Sequence, residues 1–241
     1  MRGGRRASNV EMEGPAIRDP QSPIRNPREW GLYLVTDRTQ TQGRDLIEVV
    51  DQALAGGVRA VQLREKDLVT RELCRLAEKL LARTRAAGAA LLINDRVDVA
   101  LALDADGVHL TRRSLPPDEA RALLGRSKLL GISCHSLADQ REAVAGGVDF
   151  VVLGPIFETP SKRPYGPPLG SGILRDARAL TSLPLVAIGG ISLARTPEVL
   201  AAGADGVAVI SAVMGAPDPA TAAADILTAV AAVRNRSVVD Q

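Results

Sequence analysis

From Leu32 onward the chain alternates between short β-branched apolar runs and alanine- and leucine-rich amphipathic segments. The runs are LYLVTD (32–37), AVQLRE (60–65), ALLIND (90–95), GVHL (107–110), LLGISCH (129–135), FVVLGPI (150–156), LVAIGGI (185–191) and GVAVIS (206–211), eight in all. Between them lie helical candidates such as DLIEVVDQALAGG, TRELCRLAEKLLARTRAAG and TPEVLAAGA. Alternation of this kind argues for successive βα units around a parallel sheet. A joint also repeats: AGGVRAVQL, DADGVHL, AGGVDFVVL and AGADGVAVI each place a small residue and glycine just before a strand. Glycine there ends a helix in a left-handed turn that few other residues tolerate. Eight strands in a chain of 241 residues predict an α/β fold of the (β/α)8 TIM-barrel type, one domain over residues 30–241. A doubly wound sheet is the alternative, and the absence of GxGxxG after the first strand counts against it.

Composition narrows the function classes. Hydrophobic residues make up 46% and charged residues 24%, the balance of a globular protein. Aromatics are only 2%, which argues against base-stacking platforms. Residues 1–28 carry six arginines against Glu11, Glu13 and Asp19, a net of +3, which leaves −1 on the rest of a chain whose total is +2. The basic character therefore belongs to a tail, and nucleic-acid binding by the domain has no compositional support. Four prolines and no apolar period in the first 30 residues predict a disordered N-terminal extension over residues 1–29. Cys74 and Cys134 stand far apart with no CxxC or Cys/His cluster, so neither a disulfide framework nor a zinc site is expected. No signal-peptide core or membrane-length run is present, and the expected location is cytoplasmic, with no membrane partner. Small-aliphatic outer helices leave homo-oligomerisation open.

Barrels of this type build their sites at the C-terminal ends of the strands. Those ends read Thr36 and Asp37; Gln62, Arg64 and Lys66; Asn94 and Asp95; His109; Ser133 and His135; Gly154; Gly189 and Gly190; Ser211. Nearly every strand finishes in a polar residue or a bare glycine, whereas the opposite ends finish in AGG- and ADG-type joints. Side chains alternate along a strand, so Gln62, Arg64 and Lys66 share one face, and Gly131, Ser133 and His135 another, with Cys134 packed against helices. A surface salt-bridge cluster is the plain alternative for QLREK. Set beside the other polar ends, two converging cations point to a polyanionic ligand.

IGGI at 188–191 and ISAV at 210–213 follow strands seven and eight, where barrels often bind phosphate through exposed N–H groups. Paired glycines let backbone approach phosphate oxygens closely, although a tight turn alone would also use them. The segment ETPSKRPYGPPLG at 158–170 is too rich in proline and glycine for a helix. Thr159, Ser161 and Lys162 within it offer two hydroxyls and a cation to an anion, if the segment is a binding loop and not a solvated linker. Asn94 and Asp95 are candidates for a Mg2+ ion bridging phosphate oxygens. His109 and His135 are the only two histidines, both at strand ends, and His135 is the candidate for proton transfer.

Together YLVTD, QLREKD, INDRVDVALALDADGVHL, GISCHS, GPIFETPSK, AIGGI and GADGVAVISAV resemble thiamine phosphate synthase and its relative, the TenI-type thiazole tautomerase, over about residues 32–230. The resemblance implies a TIM barrel that handles phosphorylated pyrimidine and thiazole intermediates of thiamine biosynthesis. It assigns Gln62, Arg64 and Lys66 to a hydroxymethylpyrimidine diphosphate, with Asn94, Ser133 and Lys162 beside it. It assigns Thr159, Ser161, Gly190, Ile210 and Ser211 to the thiazole phosphate, beside Gly189, and Asp95 to Mg2+. The expected activity is joining of the two heterocycles with release of pyrophosphate, which calls for fixed positive charge more than for a general base. Carboxythiazole phosphate tautomerisation, through His135, is the alternative; a non-catalytic sensor of thiamine precursors is a third reading. One departure bears on the choice. After strand four the family usually reads HxGQxD, with the Asp a second Mg2+ ligand, whereas this chain reads HLTRRS and places Arg112 and Ser114 there.

Overall fold

The apolar runs close into one parallel barrel in chain order: β1 (Leu32–Val35), β2 (Ala60–Leu63), β3 (Ala90–Asn94), β4 (Gly107–Leu110), β5 (Leu129–Cys134), β6 (Phe150–Leu153), β7 (Leu185–Ile188) and β8 (Gly206–Val209). The computed structural model describes residues 26–159 and 167–239. Strand β8 pairs back onto β1, Leu34 opposite Val209, so no strand is an edge and the doubly wound alternative falls. Helix α1 (Pro27–Trp30) precedes β1, and α2 (Leu46–Ala55), α3 (Thr70–Ala86), α4 (Val97–Ala102), α5 (Pro117–Leu124) and α6 (Leu137–Ala145) follow β1 to β5 in turn. Helices α7 (Ile173–Leu180), α8 (Thr196–Ala201) and the one-turn α9 (Ser211–Met214) follow β6, β7 and β8, and α10 (Pro219–Val239) ends the described chain. Among the described residues no helix is long and apolar enough to cross a membrane.

Period-two alternation divides each strand between two cores. Outward residues such as Leu34, Val61, Leu91, Val108, Leu130 and Val151 pack with the helices, and Cys134 is among them. Inward residues form a second cluster of Trp30, Tyr33, Phe150 and small partners including Ala60, Ala90 and Ala208. The chain has five aromatic residues, and three of them fill the barrel. Trp30 meets the Phe150 ring edge-on at 5.1 Å, and Tyr33 meets it at 5.7 Å, geometries that aromatic quadrupoles favour.

The helix-to-strand joints carry the left-handed residues that the repeated glycines predict: Gly57, Gly147 and Gly203 have φ of 100°, 78° and 110°. The DADG copy differs. There Asp104 takes the positive φ, 52°, and Gly107 is needed for space, since a Cβ on it would lie 2.2 Å from the Leu129 carbonyl oxygen.

Three of these joints also contain an aspartate immediately before the strand, and all three do the same thing. Asp106, before β4, donates its N–H to the Leu91 carbonyl and accepts the Leu91 N–H on its carboxylate, at 3.0 and 2.9 Å. Asp149 makes the same pair of bonds with Leu130, at 2.8 and 2.7 Å, and Asp205 with Leu185, both at 2.7 Å. Each carboxylate thereby satisfies a backbone donor in the first two residues of the preceding strand that would otherwise end the ladder unpaired. Asp149 is further held by Arg121, and Asp205 by Arg28 and Arg178.

The last residues assigned to the extension are ordered into helix α1 and its cap. Residues 26–29 belong to the fold: Asn26 caps α1 by accepting the Arg28 N–H at 3.2 Å, and Arg28 reaches Asp205 and the Ser182 carbonyl. Residues 1–25 lie outside the described residues.

Candidate active site

In a closed parallel barrel all eight strand C-termini share one rim. Gln62 is buried inside β2, and Arg64 and Lys66 follow the strand, half-buried and exposed respectively. Asn94 ends β3 and Asp95 follows it; Ser133 lies near the end of β5 and His135 just after it. Thr159 stands in the segment after β6, Gly189 and Gly190 after β7, Ile210 after β8, and Ser211 opens α9. Ser161 and Lys162 lie outside the described residues. The strands are two or three residues shorter than most of the apolar runs, so several of these polar groups stand on the rim itself.

The run REKD, which crowds two cations and two anions at the end of β2, is sorted by one side chain. Arg38 binds both acids: its guanidinium is 3.2 Å from the Glu65 carboxylate and 2.6 Å from Asp67. Glu65 is buried, and it also accepts the Thr36 hydroxyl at 2.7 Å and the Arg38 N–H at 3.2 Å. The hydroxyl of Thr36 in turn accepts the Arg64 N–H at 3.0 Å. Both acids thus engage Arg38, and Arg64 and Lys66 alternate with them after the end of β2. Thr36 is one of the polar strand ends read from the sequence, whereas Arg38 and Glu65 were not singled out; the acid between two cations in REK was the available signal.

Beneath the rim a polar chain crosses the barrel interior. Gln62 Nε2 donates to the Tyr33 hydroxyl at 3.2 Å, the hydroxyl lies 3.5 Å from His109 Nδ1, and His109 Nε2 lies 2.8 Å from Ser133 Oγ. The residues sit on β1, β2, β4 and β5, and only the barrel's closure and register bring them together. Burial, helped by the Arg64 charge, holds the His109 pKa down at about 3, so the ring is neutral. Burial likewise raises the Tyr33 hydroxyl well above its ordinary range. The Asn94 side-chain oxygen is buried with no hydrogen-bond partner among the described residues.

Both glycines after β7 are left-handed, with φ of 98° at Gly189 and 63° at Gly190. They also make room for the segment after β6. A Cβ on Gly189 would lie 2.5 Å from Pro155 Cα, and one on Gly190 would lie 2.8 Å from the Glu158 carbonyl oxygen. That segment continues the β6–β7 ladder, with Ile156 and Phe157 donating to the Ile188 and Gly189 carbonyls at 2.8 and 3.0 Å. Arg195 fixes the same corner, donating to the Gly190 carbonyl at 2.8 Å and lying 4.5 Å over the Phe157 ring. The pair therefore serves close packing in addition to any ligand. His135 donates from Nδ1 to the Gly154 carbonyl, which leaves Nε2 as an acceptor in the neutral ring.

The loop after β4 is closed upon itself. The Ser114 hydroxyl accepts the Thr111 N–H at 2.7 Å and lies 3.2 Å from the Thr111 hydroxyl, so it serves its own turn. Arg112 projects outward, 69% exposed and 3.9 Å from Asp139. Asp95 is exposed and has φ of 67°, a conformation that aspartate and asparagine enter more readily than most residues. Among the described residues no group of three or more His, Cys, Asp or Glu side chains is arranged to hold a metal ion. One carboxylate is nonetheless a donor that Mg2+ accepts when a substrate's phosphate oxygens and water complete its shell.

A family profile described as thiamine monophosphate synthase matches residues 32–213. The chain belongs to the thiamine monophosphate synthase family. The match spans all eight strands and most of α9, and it leaves out α1 and α10. A thiamine-phosphate synthase of Roseiflexus castenholzii is 47% identical over 202 residues, 83% of this chain and 89% of the relative. One from Moorella thermoacetica is 46% identical over 208 residues, 86% of this chain and 99% of the relative. Among solved structures, a thiamine phosphate pyrophosphorylase from Pyrococcus furiosus superposes with a TM-score of 0.79 at 38% identity, covering 86% of this chain and 98% of that one. Membership of the thiamine monophosphate synthase family agrees with the TIM barrel predicted from the strand rhythm.

Proposed function

We infer that the protein is a thiamine-phosphate synthase, joining hydroxymethylpyrimidine diphosphate to thiazole phosphate with release of pyrophosphate. The observation that carries this reading is that Gln62, Arg64, Lys66, Asn94, Asp95 and Ser133 lie at or just beneath one end of the barrel, in a chain 46–47% identical over most of its length to synthases. In the reaction the bond from the methylene carbon to the diphosphate oxygen breaks with its electron pair leaving on pyrophosphate. The lone pair of the thiazole nitrogen then forms the new C–N bond. Arg64 and Lys66 meet the charge that grows on the leaving group, with Lys162 from the sequence that follows β6.

Gln62, Asn94 and Ser133 orient the pyrimidine beneath the rim, and Thr159, Ser161, Gly189, Gly190, Ile210 and Ser211 receive the thiazole phosphate. Asp95 is the residue that would hold Mg2+, and the ion would neutralise charge on the departing pyrophosphate. Ser114 contributes no carboxylate, so this chain relies on one acidic ligand and on its cations.

Tautomerisation of a carboxythiazole phosphate is kept as a second reading on one observation, the fixed Nδ1 contact of His135 that leaves Nε2 open as a base. Purified protein given the pyrimidine diphosphate, thiazole phosphate and Mg2+ should release pyrophosphate. No release, with conversion of the carboxythiazole tautomer instead, would decide for the isomerase.

A further inference from the structure

The reaction above gives no role to His109, buried inside the barrel between Tyr33 and Ser133. We propose that His109 is a positioning residue that fixes the direction of the Ser133 hydroxyl, so that Ser133 offers the substrate pyrimidine its proton and not its lone pair.

The direction follows from the far end of the chain of hydrogen bonds. Gln62 donates an amide proton to the Tyr33 oxygen at 3.2 Å. The Tyr33 proton is then directed at His109 Nδ1, at 3.5 Å, which receives it on a lone pair. A neutral imidazole has one proton, so it sits on Nε2 and is donated to Ser133 Oγ at 2.8 Å. The serine hydroxyl also has only one proton. With its oxygen occupied by His109, that proton turns toward the substrate side of the rim, where it meets an acceptor such as a ring nitrogen.

The same chain sets the polarity of Gln62. Its nitrogen is engaged by Tyr33, which leaves the carbonyl oxygen as the group to accept from an amine. Asn94 adds a second acceptor, the buried side-chain oxygen with no partner among the described residues. A donor beside acceptors is the complement of an amidine edge, a ring nitrogen next to an exocyclic amine. A pyrimidine with a carbonyl in place of that amine would set acceptor against acceptor. The identity of the ligand rests on the synthase reading; the state of the ring does not.

Two experiments separate those dependences. Only His109 and His135 are present, so long-range 15N spectra of the folded protein resolve both imidazoles, and a His135→Asn variant assigns them. A proton on His109 Nε2 with Nδ1 bare is expected, and a proton on Nδ1 overturns the proposal whatever the enzyme catalyses. In steady-state assays His109→Met should raise KM for the pyrimidine diphosphate roughly tenfold or more, leave KM for thiazole phosphate within about twofold, and be rescued by His109→Gln, whose amide supplies a donor near Nε2. The double variant His109→Met/Ser133→Ala should be no worse than Ser133→Ala alone, and additive losses would overturn the coupling. Absence of pyrophosphate release from the unaltered enzyme would remove the synthase reading and leave the spectroscopic result to decide the proton's place.

Discussion

Phe150 on β6 occupies the space that a side chain at position 131 on β5 would need: a Cβ built on Gly131 would lie 2.1 Å from the Phe150 ring. The ring cannot yield, because Trp30 and Tyr33 pack against it from the other sides. Gly131→Ala should therefore destabilise the barrel by roughly 1–3 kcal/mol, as overpacking does, and lower Tm by several degrees. A melting curve checks it, and an unchanged Tm would mean that the aromatic plug is looser than its geometry.

Arg64→Ala and Lys66→Ala should each lower pyrophosphate release roughly 10²–10³-fold, the loss typical of removing one group that stabilises transition-state charge. Tm should stay within a degree or so, since surface substitutions away from core contacts change stability little. Glu65→Gln should behave differently. It weakens the bonds to Arg38 and Thr36 that hold the rim, so it should lower both stability and turnover.

Asp95→Asn removes the charge while keeping a residue that tolerates a φ of 67°. The Mg2+ concentration for half-maximal activity should rise roughly tenfold or more, with an unaltered melting curve in the absence of metal. Equal Mg2+ dependence in both proteins would place the ion elsewhere.

Cys134 is buried against the helices, and burial, reinforced by Asp139 and Glu142, pushes its thiol up to about 12. An unfolded chain ionises the same thiol near its ordinary value, about 8.5. Native protein therefore holds more protons than unfolded protein between about pH 8.5 and 12, and stability falls as pH rises through that window. Cys134→Ala should flatten that part of the pH–stability curve measured by urea titration. In the unaltered protein a thiol-alkylating reagent should reach Cys134 only as the fold opens.

Asp205→Ala should cost about 1–3 kcal/mol, because it strands the Leu185 N–H and uncouples Arg28 and Arg178. Synthase KM values should be unchanged, since the residue stands at the end of the barrel opposite the rim. A shifted KM would show that the two ends are coupled.

The barrel was legible because both of its signals are local: apolar runs at regular intervals, and polar residues gathered at one end of each run. The rim residues were legible for the same reason, since chain direction alone places every strand C-terminus together. The interior chain from Gln62 to Ser133 was not legible. Its contacts depend on the offset between β1, β2, β4 and β5, which no spacing within a single strand specifies. That residues 26–29 belong to the fold was not legible, because Asn26, Pro27 and Trp30 sit in a run of proline and arginine that masks them. Asn at the cap followed by Pro in the first turn was the overlooked helix signal. The paired aspartate bonds were not legible either, although the acid stands directly before the strand in three of the four repeated joints.

Those aspartates tie β4 to the base of β3, β6 to that of β5 and β8 to that of β7. The sheet is thus stitched in twos along its floor, far from the substrates. Such an arrangement separates two evolutionary demands: the floor keeps the cylinder shut, and the opposite lip is at liberty to crowd like charges and hold awkward backbone angles in the service of catalysis. A position such as Ser114, whose hydroxyl serves its own turn on that lip, can then change without endangering the vessel.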